Sequence, residues 1–541
     1  MTTMDSSSLT WELTGKRWMR VGFFTAAVTF AVWILWEIAL PQASWGSLIA
    51  AAFRFLLFQL AQLVFLLGQR LVVQPEDPNS SSIADTLLGM VLLGKAVLGW
   101  PLDPDYTYLV VQRIRVLRNS FVLAIATMVS GFLSLCALTL SVKSKSSFFI
   151  DMGVRGAALG LCYICLYTWG KGHLLKFPII QRQVYFSMKL GMTLALRSAL
   201  RMAVLSIPVA EVLVRSLHRC LAGNWGPFSL WHQVIYVVGA FFVALIWNLC
   251  CHFIQVIHTR RFVFAPPPGS AAAETNPTEP LLSVLEDDED LIRQYLGFLD
   301  LFILSGVSEI NVEAWRRAAF FEESGEAYKK VITLCLRPLD RLTVRLLKGL
   351  ESAQVGGTKD HIPGAEQGVH AKENFQELQL CSWCAGIVSS LTAFSRTEDR
   401  YGVAQLTGSN AAVLASLISC LLILDVYLGR RSGFGALSLV SPNGIRWAVP
   451  FRGALLDADR KQSALFKKKS LQHRKAHVMA DVLRTAIYRI VAVFRDEMVV
   501  TGSGSVSYAL AERDWLSRNK PLFGTPEMHL QKLGQFIEFQ E

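Results

Sequence analysis

The residues with chemistry-bearing spacing come in two pairs, Cys381-x-x-Cys384 and His473-x-x-x-His477. Two thiolates and two imidazoles are a zinc-type donor set. The pairs lie some ninety residues apart, each on its own amphipathic helical pattern, and Cys384 follows a tryptophan. Core thiols and surface imidazoles are therefore the default reading. Cys162-x-x-Cys165 falls inside an apolar run, where metal or redox work is harder still to place. No phosphate-cradling GxxxxGK[ST], no GxSxG elbow and no HExxH occurs. His173 stands between Lys171 and Lys176 with no carboxylate neighbour for acid–base work. The expectation is a chain that is not an enzyme, with no cofactor and no metal.

A second set of candidates is ionisable and sits within apolar stretches. Glu37 and Arg54 could pair across a hairpin. Asp151 and Arg155, and Glu211 and Arg215, have i,i+4 spacing and can face each other on a helix. Arg201 shares the stretch that holds Glu211, with Pro208 between them as a kink. Such groups can form a substrate or proton path, or they can bind helices together and snorkel to the interface. No Asp/Glu/His chain continues through the other stretches, which favours the packing role.

These residues need long apolar elements to carry them, and the first half of the chain supplies such elements. The chain has 541 residues, 52% of them hydrophobic, and a mean hydropathy of +0.37. Val234–Ile257 contains no formal charge, enough for an α-helix to cross roughly 30 Å of hydrocarbon. Six spans are expected, at Val21–Leu40, Trp45–Leu67, Phe121–Val142, Phe149–Trp169, Leu194–Leu217 and Val234–Ile257. The first run is too long for a signal h-region and is expected to stay as an anchor. Ile83–Trp100 carries Asp85, Lys95 and three glycines and is expected to be interfacial or re-entrant. Ala411–Leu428 is nearly apolar but is interrupted by Asp425, and a buried core helix is expected there.

Net charge follows the same division. Residues 1–265 hold 22 Lys/Arg against 10 Asp/Glu, and residues 266–541 hold 31 against 32. The basic excess lies between apolar runs, as in cytosolic loops of membrane proteins. A direct nucleic-acid partner is not expected. Positive loops alternate with poor ones, which predicts both termini in the cytosol. The ten cysteines show no paired framework and are expected to be reduced.

The resulting expectation is an all-α protein: a six-span transmembrane helical bundle followed by a soluble α-helical domain. Residues 1–20 form a cytosolic N-terminus, 21–260 the membrane domain, 261–290 a flexible linker (APPPGSAAAETNPT within it) and 291–541 the helical domain. A disordered loop is expected at 354–370 and a short strand at Ile445–Phe451. Lys467, Lys468, Lys469, Arg474 and Lys475 form a dense basic patch, suited to anionic lipid headgroups or to a solvated face.

One group of residues resembles a known family. Leu296–Gly306 (LGFLDLFILSG), Trp315-Arg316-Arg317, Phe320-Phe321 and Val331–Leu347 (VITLCLRPLDRLTVRLL) are similar to the start of the cytosolic domain in the Ndc (nuclear division cycle) family of transmembrane nucleoporins. The closing Leu530–Glu541, with Phe536-Ile537-Glu538-Phe539, is similar to that family's terminus, and the size resembles plant members. The resemblance implies six spans with both termini on the nucleocytoplasmic side, in the pore membrane of the nuclear envelope. It implies scaffold partners such as Aladin and the inner-ring linker nucleoporins, alongside the lipid bilayer and a possible homo-oligomer. Trp315, Arg316, Arg317 and Phe320 could then form an exposed docking point. The residues alone equally allow internal packing with helix-capping arginines. The alternative function is a multi-spanning transporter or channel.

Overall fold

The computed structural model describes residues 11–39, 48–73, 104–140, 146–170, 172, 174–178, 181–222, 230–266, 269–287, 290–306, 314–355, 377–436, 456–502, 505–507, 515–516 and 521–538. Three expected features lie outside them: the segment Ile83–Trp100, the strand Ile445–Phe451 and nearly all of the loop at 354–370. The chain divides between Arg260 and Arg261 into two units.

The first unit contains six long helices among the described residues: α1 (Lys16–Ala39), α2 (Leu48–Val72), α3 (Pro104–Thr139), α4 (Ser146–Trp169), α5 (Val184–Ala222) and α6 (Leu230–His258). Neighbouring helices in sequence pack side by side, and α6 closes back onto α1. All but α5 are long and apolar enough to cross a membrane. Their outward side chains are those of a lipid-facing surface: Phe23, Phe53, Leu56 and Leu63 are each more than half exposed. The 39 residues of α5 give a rod of about 58 Å at 1.5 Å per residue, longer than the hydrocarbon core. Its charged residues keep it outside the purely apolar set, yet Leu194, Leu200 and Val204 are exposed along it as on its neighbours.

Polar side chains join these helices from inside. Thr29 donates to Gln59 Oε1 (2.9 Å), Gln62 to Ser134 Oγ (2.8 Å), Tyr167 to Gln69 Oε1 (2.8 Å) and the Trp36 indole to the Leu138 carbonyl (3.0 Å). In a bilayer no water competes for these groups, so each must find a protein partner. The tightest contact is between α3 and α4. A Cβ placed on Gly156 would lie 2.1 Å from the Gly131 carbonyl oxygen, and one on Gly160 2.4 Å from that of Thr127. Gly156 and Gly160 form a GxxxG motif, which lets two backbones touch.

Among the described residues the second unit is helical with one short hairpin. Its elements are α7 (Ala271–Thr275), α8 (Glu279–Glu286), α9 (Leu291–Ser305), α10 (Ala314–Ala318), α11 (Glu326–Val355), α12 (Leu378–Glu398), α13 (Val403–Leu406), α14 (Ser409–Ala436), α15 (Leu456–Met498) and α16 (Pro526–Glu538). Strands β1 (Val500–Gly502) and β2 (Ser505–Ser507) pair antiparallel, with Thr501 opposite Val506. Asp290 caps α9 by accepting from the Ile292 and Arg293 amides.

The core lies where α9, α11, α12, α14 and α15 meet. On α15 the side chains Met479, Leu483, Ile487, Ile490 and Phe494 share one helical face, and all are buried. Helices α12 and α14 are also apolar enough to span, but their surroundings differ from those of the first unit. In the first unit at most 50% of a candidate span is buried, whereas 67% of the α12 window and 83% of the α14 window are. A membrane helix leaves its apolar surface to lipid; these two leave it to protein. Asp425, which interrupts α14, pairs with Arg484 of α15 (3.2 Å) and Lys532 of α16 (2.9 Å).

The expected flexible linker at 261–290 is corrected in part. Leu281, Leu282, Val284 and Leu285 of α8 are buried against α9, and Arg261 and Phe264 are bonded to it. The apolar i, i+3, i+4 set of Pro280–Leu285 outweighs the Pro/Ala-rich composition before it.

His529 locks α16 in place. The ring is 2% exposed, and its Nε2–H donates to the Phe523 carbonyl at 2.8 Å. Burial pushes its pKa below the ordinary 6.5, with the Phe523 carbonyl opposing. The unfolded segment therefore takes up a proton near pH 6.5 that the folded one refuses, and docking weakens as pH falls below that value. Burial raises the Asp340 pKa above 3.8, with Ser416 opposing, so that group acts with the opposite sign at more acid pH. Protease sensitivity of the C-terminal helix in the full-length protein should rise from pH 7 to pH 5, and His529→Gln should flatten the dependence.

Candidate functional site

Two ionic clusters stand out, one in each unit. In the second unit the centre is Asp300, midway along the apolar α9 with its carboxylate wholly buried. Arg261 donates from Nε to Oδ1 (2.8 Å), Arg316 to Oδ2 (2.8 Å) and the Phe264 amide to Oδ2 (3.1 Å). Arg316 also reaches the Phe264 carbonyl at 3.1 Å. One carboxylate thus fastens the chain at 261–264 and α10 to α9. The next residue, Arg317, forks onto Glu398 at the end of α12, with its guanidinium 3.6 Å from the Phe394 ring centre. The planar guanidinium suits both contacts, which a lysine could not make together.

This geometry corrects the expected docking point. Arg316, Arg317 and Phe320 are buried at 5%, 8% and 1% exposure and are engaged inside the unit. The cause is the pair of internal carboxylates, Asp300 and Glu398, which draw both arginines inward. Trp315 alone of the four faces outward, at 53% exposure.

In the first unit Glu211 of α5 is the hub. It accepts from Arg155 of α4 and Gln233 of α6 and pairs with Arg215 one turn on (3.3 Å). Arg155 also lies over the Tyr236 ring (5.7 Å), whose hydroxyl donates to Ser206 (2.7 Å). Asp151 pairs with His218 (3.0 Å) rather than with Arg155. Intrahelical spacing put Asp151 beside Arg155, but an acid on α5 competes successfully for the guanidinium. Glu37 and Arg54 lie 3.6 Å apart across the α1–α2 hairpin. Arg201 is exposed on α5 and no described residue pairs with it.

The remaining candidates do not converge. Cys381 and Cys384 are buried free thiols, as is Cys335. His473 and His477 instead meet each other edge to face, ring centres 4.5 Å apart. Among the described residues no group of three His, Cys, Asp or Glu could hold a metal. Lys467, Lys468 and Lys469 lie on the α15 backbone with their side chains outside the description; Arg474 is exposed and Lys475 half-buried.

Sequence reasoning missed Asp300, Arg261, Glu398 and Gln233. A signal for Asp300 was present: it is the lone acid in LGFLDLFILSG, and a charge on an apolar face needs a partner. The Gly156–Gly160 motif was equally readable.

No protein-family model matches the chain, and no curated protein matches it.

Proposed function

We propose that the protein is a non-enzymatic, multi-pass anchor that holds the nuclear pore scaffold in the pore membrane of the nuclear envelope. Both termini, and with them the helical unit, face the nucleocytoplasmic side. The spans grip lipid, and the helical unit binds soluble scaffold nucleoporins such as Aladin or the inner-ring linkers. The resemblance of residues 296–347 supports the family reading. The observation that carries the docking role is Trp315. It projects from α10, a helix fixed from behind by the Asp300–Arg316 and Arg317–Glu398 pairs. An exposed aromatic on a rigid base is a typical interface anchor. The ionic residues of the membrane unit are satisfied largely by one another, in keeping with a structural task for them.

The test is a tagged full-length chain, imaged in cells and purified with its partners. A nuclear-rim pattern and recovery of scaffold nucleoporins are expected. Trp315→Ala should lower that recovery by about thirtyfold, the effect of losing a ~2 kcal/mol hot spot, with the thermal midpoint unchanged. A uniform reticular pattern with no nucleoporin recovered would refute the anchor.

A further inference from the structure

Helix α5 presents a continuous outward stripe. Leu190, Leu194, Arg197, Arg201, Leu205 and Pro208 recur at three- and four-residue steps, and all are exposed. The opposite face, Ala195, Ala199, Met202 and Ser206, is buried within the unit. Two guanidiniums therefore stand one turn apart in a surface that is otherwise apolar. No described residue pairs with either of them.

Their depth follows from the neighbouring helix. Helix α6 runs antiparallel to α5, with Tyr236 on Ser206 and His252 on Ser187. Between these contacts the Ser198 hydroxyl donates to Asn248 Oδ1 (3.4 Å), and the Asn248 amide reaches Met202 Sδ (3.7 Å). Asn248 is thus level with Arg197 and Arg201, which adjoin those two residues in the chain. It lies nine residues before Ile257, the end of the uncharged run of α6, or about 14 Å at 1.5 Å per residue. Half of the hydrocarbon core is about 15 Å. The two arginines therefore stand near the middle of the bilayer, away from headgroup phosphates and from the helix ends where long side chains snorkel.

Other ionic side chains of the spans are satisfied internally: Glu37 with Arg54, Glu211 with Arg155 and Arg215, and Asp151 with His218. Those pairs also take up the acids. A second copy of the chain thus has no free span carboxylate to offer among the described residues, and two α5 stripes face to face would oppose like charges. A bare guanidinium in hydrocarbon is costly, and lipid tails supply no counter-ion. Carboxylates at the same depth would satisfy both cations, while the leucines of the stripe pack against an apolar helix. We propose that this stripe is a docking site for a transmembrane helix of another protein, one that carries two carboxylates a turn apart at mid-depth. The site belongs to the membrane unit alone and is independent of the nuclear-pore reading.

The test uses the purified full-length protein in phosphatidylcholine vesicles at neutral pH. The probe is a membrane-spanning polyleucine peptide with two central glutamates at i,i+4 spacing and a photoactivatable leucine beside them; its twin carries glutamines. Cross-links to the α5 stripe should be roughly tenfold more abundant with the glutamate peptide. Arg197→Leu/Arg201→Leu should remove that preference with the thermal midpoint unchanged. Arg197→Glu/Arg201→Glu should transfer it to a peptide with two central arginines, which checks the charge pairing in a second variant. Equal labelling by the glutamate and glutamine peptides, or a preference that survives the leucine substitutions, would overturn the site. So would a failed charge swap in a protein whose thermal midpoint is unchanged. Self-association of the protein alone, abolished by the leucine substitutions, would overturn it in favour of a second copy.

Discussion

Gly156→Leu should unmake the membrane unit. The Cβ alone would sit 2.1 Å from the Gly131 carbonyl oxygen, and the atoms it meets are backbone, which cannot rotate away. Helices α3 and α4 would have to separate along their whole contact, including the Gly160–Thr127 approach. The expected cost is at or above about 3 kcal/mol, the upper end for overpacking. In size-exclusion chromatography in mild detergent, the variant should lose its monodisperse peak. Gly22→Ala is the matched control, because the nearest atom to its added Cβ is 4.0 Å away. That variant should behave as the parent does.

Asp300→Asn should have a comparable effect on the helical unit. The carboxylate is fully buried and neutralises two guanidiniums, Arg261 and Arg316, while accepting the Phe264 amide. An amide of the same shape keeps part of the hydrogen bonding but leaves buried positive charge uncompensated. Breaking one side of such a cluster costs about 3–5 kcal/mol. The segment at 261–264 and α10 should both loosen, seen as new protease cleavage after Arg261 and near Trp315 together with a lowered unfolding midpoint. Glu398→Gln should cost less, since its carboxylate is partly exposed and water can stand in for the lost charge. If Asp300→Asn left protease resistance intact, Asp300 would not be the residue fastening these elements.

Much of the fold was legible because it rests on periodicity. The uninterrupted apolar run of α6, the amphipathic stripe of α15 from Met479 to Phe494 and the place of α14 in a core all follow from apolar spacing. What was not legible depends on contacts between distant segments. Arg316 and Arg317 allow an exposed or a packed reading equally, because nothing in their own segment shows that Asp300 and Glu398 lie behind them. Asp151 and Arg155 satisfied each other on one helix, and only the approach of α5 reassigns them to His218 and Glu211. The linker composition at 265–278 likewise hid the buried leucines of α8 that follow it. Local rules place side chains on a helical face; they do not say which face of which helix will be opposite.

The most direct test of the account is topology. It holds that α4 and the still more apolar α14 have opposite fates, one crossing lipid and the other buried in the proposed cytosolic domain. Two full-length variants distinguish them in sealed microsomes. One carries a glycosylation acceptor in an extended loop inserted between α3 and α4, and the other carries the same loop at Gly402, between α12 and α14. The account predicts a glycan on the first and none on the second, with the second cut by protease added outside. A glycan at Gly402, or protection there until detergent is added, would contradict it.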